Sequence, residues 1–240
     1  MSLQFIINSA VSVEVNRSQL VAQSISRSGK VLTASRNWVN PWRFVVEPQP
    51  VWLHSNYRSL FEPVINGDKY AEYTIKLGQG TQSWLTEYLG EVSIGGIAYG
   101  NANFPKGGVL QGVTVYSATQ GTAKITLNIG GLDATKVVKI GDVIQVTGYR
   151  YPYVVTSTAV VGGKLEVGIH RQWLDGNITD GTTKTLTVGT SCQFKVKVTK
   201  MPTTKFISGK LVEFTSNFDL IEVVDDVIQQ ANVNYNWEGF

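Results

Sequence analysis

The chain has 240 residues, of which 42% are hydrophobic and only 16% are charged, and its formal net charge is +3. This apolar content suffices for one large domain or two modest ones, which argues against a disordered chain. The charge content lies below the roughly 25% usual for soluble domains, so we expect partners to cover much of the surface. The lysines and arginines form no cluster suited to gripping phosphates, which disfavours a dedicated nucleic-acid reader.

The chain starts with an apolar stretch, residues 1–10, that has no basic flank. It is too short for a signal peptide or a membrane span. We therefore expect synthesis and folding in a cytosol and no membrane partner.

One segment, residues 55–68, has apolar side chains at helical spacing. Ser55 or Asn56 is suited to cap its start, and Asn66 followed by Gly67 is suited to stop it. Pro63 lies inside the segment, where a proline removes a backbone donor and clashes with the preceding turn. The pattern predicts one short or kinked helix.

Strand signals dominate the rest of the chain as short runs rich in Val, Ile, Thr and Tyr, separated by Gly, Asn and Asp. The clearest predicted strands are 109–116, 123–129, 143–147, 164–169, 185–188 and 193–199. In the last of these, apolar and polar residues alternate, which places Lys195 and Lys197 on the solvent side of a half-covered strand. The paired glycines at 95–96 and 162–163 are typical of hairpin turns. The sequence therefore predicts an all-β protein.

Two turn-rich stretches, residues 101–108 and 176–183, indicate domain boundaries. The strands between them are numerous enough to form a small barrel of their own. We predict one β domain from residues 1–105 and 193–240, with a second, inserted barrel domain at 106–192. A single continuous sandwich with long loops is the alternative.

Few residues offer reactive chemistry. The single cysteine, Cys192, excludes an intrachain disulfide and a cysteine-based zinc cluster, and its surroundings predict a buried thiol. His54 and His170 belong to no spaced metal motif, and no G-x-S-x-G nucleophile elbow occurs. We therefore predict no catalytic, cofactor-binding or metal-binding residues and no enzymatic activity.

A small acidic group near the end, formed by Glu222, Asp225 and Asp226, has the composition of a general acid–base pair or a calcium site. Its apolar surroundings fit the end of a strand with a polar edge better.

Aromatic and arginine side chains form two groups that we predict to lie at interfaces, because such residues bury much area at low entropic cost. The candidates are Trp38, Trp42, Arg43, Tyr149, Arg150, Tyr151 and Tyr153. Aromatics at strand spacing also commonly belong to a core, and an aromatic ladder can stack on sugars.

The order of the predicted strands and the helix along the chain resembles the layout of a known protein family. A strand with a polar break at 13–16 precedes a glycine-containing hairpin at 23–33 and a Trp/Arg strand at 42–46, which Pro48 and Pro50 follow. The helical segment then leads through Gly67 and Asp68 into a strand at 70–77. This layout resembles the first domain of distal tail proteins, which cap the tail tube of long-tailed phages. Residues 139–146, 153–156 and 162–167 are similar to the barrel module that some of these proteins insert there.

The resemblance implies an N-terminal β-sandwich or split-barrel belt domain with one short helix, and an inserted OB-like β-barrel. It implies a ring of six subunits at the tail tip of the virion, held by a heterologous interface that closes. Its partners are then copies of itself, the tail-tube protein and the tail hub or tip proteins, with no sequence-specific nucleic acid and no cofactor.

Three alternatives stay open from the sequence. A baseplate protein of a contractile tail would have a related fold. A carbohydrate-binding β module would use the aromatic residues around Arg150. An enzyme would use the acidic group at residues 222–226.

Overall fold

The computed structural model describes residues 3–17, 21–25, 31–35, 41–67, 71–77, 107–179, 184–189 and 191–224. Nearly all regular structure in these residues is β, which confirms the predicted class. The strands are β1 (Ser12–Asn16), β2 (Val21–Ile25), β3 (Val31–Ser35), β4 (Arg43–Glu47), β5 (Val51–Leu53), β6 (Tyr73–Lys76), β7 (Gly107–Ala118), β8 (Lys124–Asn128), β9 (Val143–Val146), β10 (Tyr153–Val161), β11 (Lys164–Ile169), β12 (Thr185–Gly189), β13 (Gln193–Lys200), β14 (Thr204–Ile207), β15 (Leu211–Phe214) and β16 (Phe218–Glu222). The described helices are α1 (Leu3–Asn8), α2 (His54–Leu60), α3 (Glu62–Ile65) and a 3-10 turn (Ala134–Lys136).

The first layer is an antiparallel five-stranded sheet in the order β1-β4-β16-β13-β6. Its apolar side chains alternate along β4 and β13 and point to one face, where they are buried. Lys195 lies on the exposed face of β13, as the alternation predicts. The buried residues that this sheet contributes include Phe44, Val46, Ile75, Phe194, Val196, Phe218 and Leu220.

The second layer is a closed antiparallel barrel in the order β10-β11-β8-β7-β12-β9. The barrel strands lie between β6 and β13 in the sequence. All six strands predicted from the sequence are present: five belong to the barrel, and the sixth, at residues 193–199, is β13 of the five-stranded sheet. Gly162 and Gly163, with φ of 57° and 75°, form the predicted two-residue turn between β10 and β11. The barrel interior is filled by aliphatic side chains, including Val113, Val115, Leu127, Ile144, Leu165, Val167 and Leu186.

Two smaller units complete the described fold. A three-stranded sheet in the order β14-β15-β5 packs Val212 and Phe214 into the core of the five-stranded sheet. A two-stranded sheet pairs β2 with β3, with Gln23 opposite Thr33, where the sequence predicts a hairpin.

The predicted helix is present but broken. α2 ends before Phe61 and α3 begins after it, so Pro63 is the second residue of a new helix rather than an interior one. A proline is tolerated there because the first turn needs no backbone donor. The predicted N-terminal cap is wrong, because α2 begins earlier, with Leu53 as its N-cap and no side-chain hydrogen bond there. The predicted stop is confirmed, because α3 ends at Ile65 with Asn66 as its C-cap.

α1 is a further helix that the sequence does not predict. Leu3, Ile6 and Ile7 are buried against the core, and α1 lies beside β6. The side chain of Gln4 bonds the backbone of Lys76 twice, since its Nε2 donates to the carbonyl at 2.9 Å and its Oε1 accepts from the amide at 2.6 Å. One amide side chain thus replaces a neighbouring strand at this edge of the sheet.

Gly67 provides a test of the helix end. A Cβ at this position would overlap the backbone carbonyl oxygen of Pro63, which cannot rotate away. We expect Gly67→Ala to lower the free energy of unfolding by about 1–3 kcal/mol in denaturant titrations. Gly176→Ala is the matched control because nothing lies within 4 Å of its Cβ, and an equal loss in both variants would contradict the prediction.

Candidate functional site

The structure separates the predicted interface residues into two groups. Trp42, Tyr151 and Tyr153 are at most 2% exposed and belong to the core, so their side chains offer a partner no surface. Arg43 is exposed, and Tyr149 and Arg150 are partly exposed. Trp38 lies outside the described residues, as do Asp225, Asp226 and the glycines at 95–96.

Trp42 is the centre of an aromatic cluster under the five-stranded sheet. Its ring centroid lies 4.9 Å from that of Phe194 and 6.2 Å from that of Phe44. The indole also contacts His170 of the barrel edge-on at 5.4 Å. The cluster therefore reaches across the junction between the sheet and the barrel.

A buried ion pair holds this junction. Arg171, just after β11 in the barrel, donates from Nη1 and Nη2 to the two carboxylate oxygens of Glu222 at 2.5 and 2.7 Å. Glu222 ends β16 in the sheet, and its Oε2 also accepts the backbone N–H of Trp42. Arg171 Nη2 donates further to the carbonyl of Pro152 at 2.9 Å. Both side chains are at most 5% exposed, so the pair is fully withdrawn from water.

The Glu222 carboxylate favours the charged form of Arg171. Burial alone would lower the pKa of Arg171, but the charge and hydrogen bonds of Glu222, together with Tyr153 and Tyr151, outweigh burial and raise it. A bidentate arginine–carboxylate pair also has one preferred geometry. The pair therefore fixes the angle between barrel and sheet as well as their separation.

His170 lies beside the ion pair and is neutral. Burial, together with the positive charges of Arg171 and Arg17, lowers its pKa from 6.5 to about 3. Its Nε2 faces the Trp42 indole N–H at 3.2 Å, and its Nδ1 faces the Val154 amide at 3.0 Å. A protonated ring would set donor against donor at both nitrogens, which opposes protonation further.

Asp175 organises the turn that carries Arg150. Its carboxylate accepts the backbone N–H groups of Arg150 and Tyr151 at 3.1 and 3.4 Å and the Tyr153 hydroxyl at 3.4 Å. Burial raises the pKa of Asp175 despite these bonds, and burial followed by Asp175 raises the pKa of Tyr153. The Tyr153 hydroxyl stays protonated and accepts the amide of Leu174 at 2.9 Å.

Gln145 ties the same turn to the sheet. Its Nε2 donates to the carbonyls of Tyr149, Arg150 and Gln193 at 3.0 to 3.2 Å, and its Oε1 accepts the Gln193 amide at 2.8 Å. A groove of about 420 Å³ opens beside this amide and is lined by Tyr149 and Arg150 among others. Two predicted interface residues thus border a groove rather than a flat surface.

The reactive residues are placed as follows. Cys192 is buried as predicted, just before β13, and burial followed by the charge of Asp142 raises the pKa of its thiol. The Glu222 carboxylate is ion-paired with Arg171. In the parts of the chain that the structure describes, no three His, Cys, Asp or Glu side chains gather as metal ligands, and no helix is long and apolar enough to cross a membrane.

An apolar row lies on the outward face of the three-stranded sheet. Leu53, Leu211 and Ile207 occupy one cross-strand row, because Leu211 pairs with both of the others. Leu53 and Ile207 are 54% and 37% exposed, and Val51 in the next row is 46% exposed. Trp52 and Val212 point to the opposite, core-facing side. We call Leu53, Leu211 and Ile207 the outward apolar row.

Sequence reasoning missed both the ion pair and the outward apolar row. Arg171 and Glu222 are 51 positions apart, and no local pattern links them. The row depends on the pairing of β15 with β5, which are also far apart in the chain. In the sequence Val51, Trp52 and Leu53 are all apolar, so no polar–apolar alternation indicated that only Trp52 faces the core.

Comparison with known proteins adds no family. The sequence matches no protein-family model, and no curated protein sequence matches it.

The ion pair yields a stability prediction. Arg171→Met leaves the Glu222 carboxylate buried without its cation, and we expect a loss of about 3–5 kcal/mol in the free energy of unfolding. The double variant Arg171→Met/Glu222→Leu buries no charge and should recover part of that loss. Chemical denaturation of the three proteins measures the coupling.

Lys124→Met is the matched control for the ion pair. Lys124 Nζ and Glu166 Oε2 are 2.6 Å apart, but Lys124 is exposed and Glu166 is partly exposed, and such surface pairs contribute about 0–1 kcal/mol. A similar loss in Lys124→Met and Arg171→Met would contradict the special weight given to the buried pair.

His170 yields a pH prediction. Because its pKa is lowered from 6.5 to about 3, the unfolded chain binds a proton between these values that the folded chain does not. The part of the free energy of unfolding that is linked to His170 is complete above pH 6.5 and is lost as the pH falls toward 3. The free energy of unfolding then changes by up to about 1.4 kcal/mol per pH unit. We expect His170→Gln to flatten this part of the stability curve, and identical curves would contradict it.

Proposed function

We propose that the chain is a structural virion protein that forms a ring at the distal end of a phage tail and joins the tail tube to the tail-tip or baseplate hub. The observation that carries the proposal is the outward apolar row on the three-stranded sheet. The ring, its six subunits and its place in the virion follow from the resemblance to distal tail proteins.

The outward apolar row supports a contact between subunits. Monomeric proteins seldom expose contiguous apolar surface, and this row has three side chains in register across three strands. The next row on the same face carries Val51, Glu213 and Lys205, with one charge of each sign. This face therefore carries charges of both signs, and they do not create a purely acidic or purely basic surface that would repel a second copy of the chain. In a ring the row contacts a different patch of the next copy.

The buried junction supports a mechanical role. A protein that connects a tube to a hub must hold the two at a fixed distance and angle. Its barrel and its five-stranded sheet must therefore keep a fixed relative orientation. Arg171, Glu222 and Gln145 bond the barrel to the sheet through four hydrogen bonds, two between Arg171 and Glu222 and two from the Gln145 side chain to the backbone of Gln193. Such a junction suits a part that bears load better than a module that opens and closes.

The first experiment measures assembly. The full chain, examined at high concentration by light scattering after size exclusion and by negative-stain microscopy, should form annular oligomers instead of a 26.3 kDa protomer. The double variant Leu53→Lys/Leu211→Lys should remain a folded protomer, because two buried charges in the contact are costly.

Ile140→Lys is the control variant for assembly. Ile140 is 70% exposed but lies on the barrel, away from the outward apolar row, so its replacement should leave the rings intact. A wild-type chain that stays a protomer at every concentration would refute the ring.

The second experiment tests the location. Gold-labelled antibody against the chain should bind at one end of the tail in intact phage particles from the source of the sequence. Purified particles without the chain, or label along the whole tail, would refute the tail-tip assignment.

A further inference from the structure

Two strands of the protomer each have one unpaired edge. β10 pairs with β11 along residues 157–161, but β9 reaches β10 only at Tyr153 and Val154. β14 pairs with β15 and is an outer strand of its three-stranded sheet. Among the described strands, no other one pairs with residues 157–161 or with residues 204–207. We call these two stretches the β10 edge and the β14 edge.

Both edges expose apolar side chains. Val160 and Val161 are 61% and 53% exposed, and Phe206 and Ile207 are 64% and 37% exposed. Phe206 packs on one side against Tyr57, with the ring centroids 6.1 Å apart. The β10 edge also lacks the charged residues and prolines that usually prevent a strand edge from pairing with another chain. Because Ile207 belongs to the outward apolar row as well, the β14 edge is continuous with the surface proposed for the ring contact.

The turn after β10 shows which backbone groups of the β10 edge point away from the barrel. Both glycines of this two-residue turn have positive φ, so the residues on either side of them, Val161 and Lys164, form a hydrogen-bonded pair. Such pairs alternate along an antiparallel strand. The N–H and C=O groups of Thr158 and Val160 therefore point away from β11.

The same alternation applies to the β14 edge. The Thr215 amide donates to the Thr203 carbonyl at 2.9 Å, so these two residues form a hydrogen-bonded pair between β15 and β14. The backbone groups of Thr204 and Phe206 therefore point away from β15. Each edge thus presents two residues, two positions apart, whose backbone groups are placed to bond a further strand. Two such edges can exchange four hydrogen bonds.

The charges near the two edges disfavour pairing of like edges. Two β14 edges that bond Thr204 of one copy to Phe206 of the other place Lys205 opposite Lys205, and like charges directly opposite destabilise a sheet. Two β10 edges place Ala159 opposite Ala159. A Glu166 carboxylate then lies on either side of them in one row, because Glu166 pairs with Ala159 within the protomer.

Unlike edges fit each other in one antiparallel register. That register engages all four residues with outward backbone groups, because it pairs Phe206 with Thr158 of the next copy and Thr204 with Val160 of the next copy. On the inner face of the extended sheet, the Phe206 ring then lies diagonal to Val160, within reach of an aromatic side chain. The apolar side chains of both edges are thereby covered together.

The charges favour the same register. It places Lys205 opposite Ala159 of the next copy, with Glu166 as the following residue of that row. The small alanine leaves room for the lysine to reach this carboxylate, which already contacts Lys124 but can accept more than one ammonium group. A shift by two residues would instead bring Lys205 into the row of Lys164, where like charges meet.

We propose that the β10 edge of one copy adds as a fourth strand to the three-stranded sheet of the next copy, by antiparallel pairing with its β14 edge. The partner is thus a second copy of this chain, which contributes its β10–β11 hairpin. The proposal rests on the proposed ring and names two unlike surfaces that meet in it. Each copy offers both edges, so the contact repeats from copy to copy, as a heterologous interface requires.

Cysteine cross-linking tests the register. Thr203 lies opposite Val161 of the next copy as a non-hydrogen-bonded pair, with Cα atoms about 4.5 Å apart, which suits a disulfide. After mild oxidation with copper-phenanthroline, Val161→Cys/Thr203→Cys should give a ladder of covalent oligomers on a denaturing gel without reductant. Each single variant should run as a monomer. The native Cys192 is buried and does not compete.

Two further variants control the cross-linking. Ser157→Cys/Thr203→Cys should give no ladder, because Ser157 shares a face with Val161 but lies four residues away, about 13 Å along the strand. Ala159→Cys alone reports on the competing arrangement, since it forms a covalent dimer only where two β10 edges pair with each other. We expect it to run as a monomer.

A proline variant tests the backbone bonds. Val160→Pro removes an N–H that points away from β11, so the ladder of the protomer loses no hydrogen bond and its melting curve should stay close to wild type. Half-assembly in sedimentation velocity should require a protein concentration about tenfold or more higher. Val160→Thr keeps the N–H and is the matched control, for which we expect a change of less than about threefold.

Three results would overturn the proposal. They are wild-type assembly of Val160→Pro, a covalent dimer of Ala159→Cys alone, and rings of Val161→Cys/Thr203→Cys that yield no ladder. The last result would leave the ring standing and refute only this contact. A ladder from open filaments without annular particles would support the strand contact and refute the ring, since a heterologous contact that does not close gives filaments. The two proposals therefore fail separately.

Discussion

The ion pair between Arg171 and Glu222 is the interaction on which the arrangement of the molecule depends. It joins the barrel to the five-stranded sheet in the interior, where an unpaired charge would be far more costly than at the surface. The aromatic cluster around Trp42 and the neutral ring of His170 close around it and exclude water. Because both partners are needed, the barrel and the sheet behave as one body with one preferred geometry.

This single geometry decides which surfaces remain for partners. The turn that carries Tyr149 and Arg150 is held from one side by Asp175 and from the other by Gln145, so the groove beside it keeps its shape. The three-stranded sheet, by contrast, buries only its inner face and leaves Leu53 and Ile207 outside. The molecule therefore presents a polar groove beside this turn and an apolar row on the three-stranded sheet.

Much of the fold could be predicted from the sequence, and the failures have physical reasons. Alternation identified β8, β11 and β13 because their side chains alternate between buried and more exposed positions. β9 was also predicted although all four of its residues are buried, and β10 was not among the clearest predicted strands. The helical spacing around Pro63 corresponds to two short helices. α1 was missed because a six-residue helix has no room for a periodic pattern, and its stability comes from burial of Leu3 and Ile6.

The candidate site was less predictable than the fold. Composition cannot tell a core aromatic from a surface one, so Tyr151 and Tyr153 were grouped with Tyr149 although only the last reaches the surface. The pairing of Arg171 with Glu222 brings together two residues that are far apart in the chain, and no local signal encodes it.

The order of the sheet also has a kinetic consequence. β16 lies between β4 and β13 although it is the last of the described strands along the chain, so β4 and β13 have no partner between them until residues 218–222 have been made. All six barrel strands precede β16 in the sequence, so during synthesis the barrel can close before the sheet does.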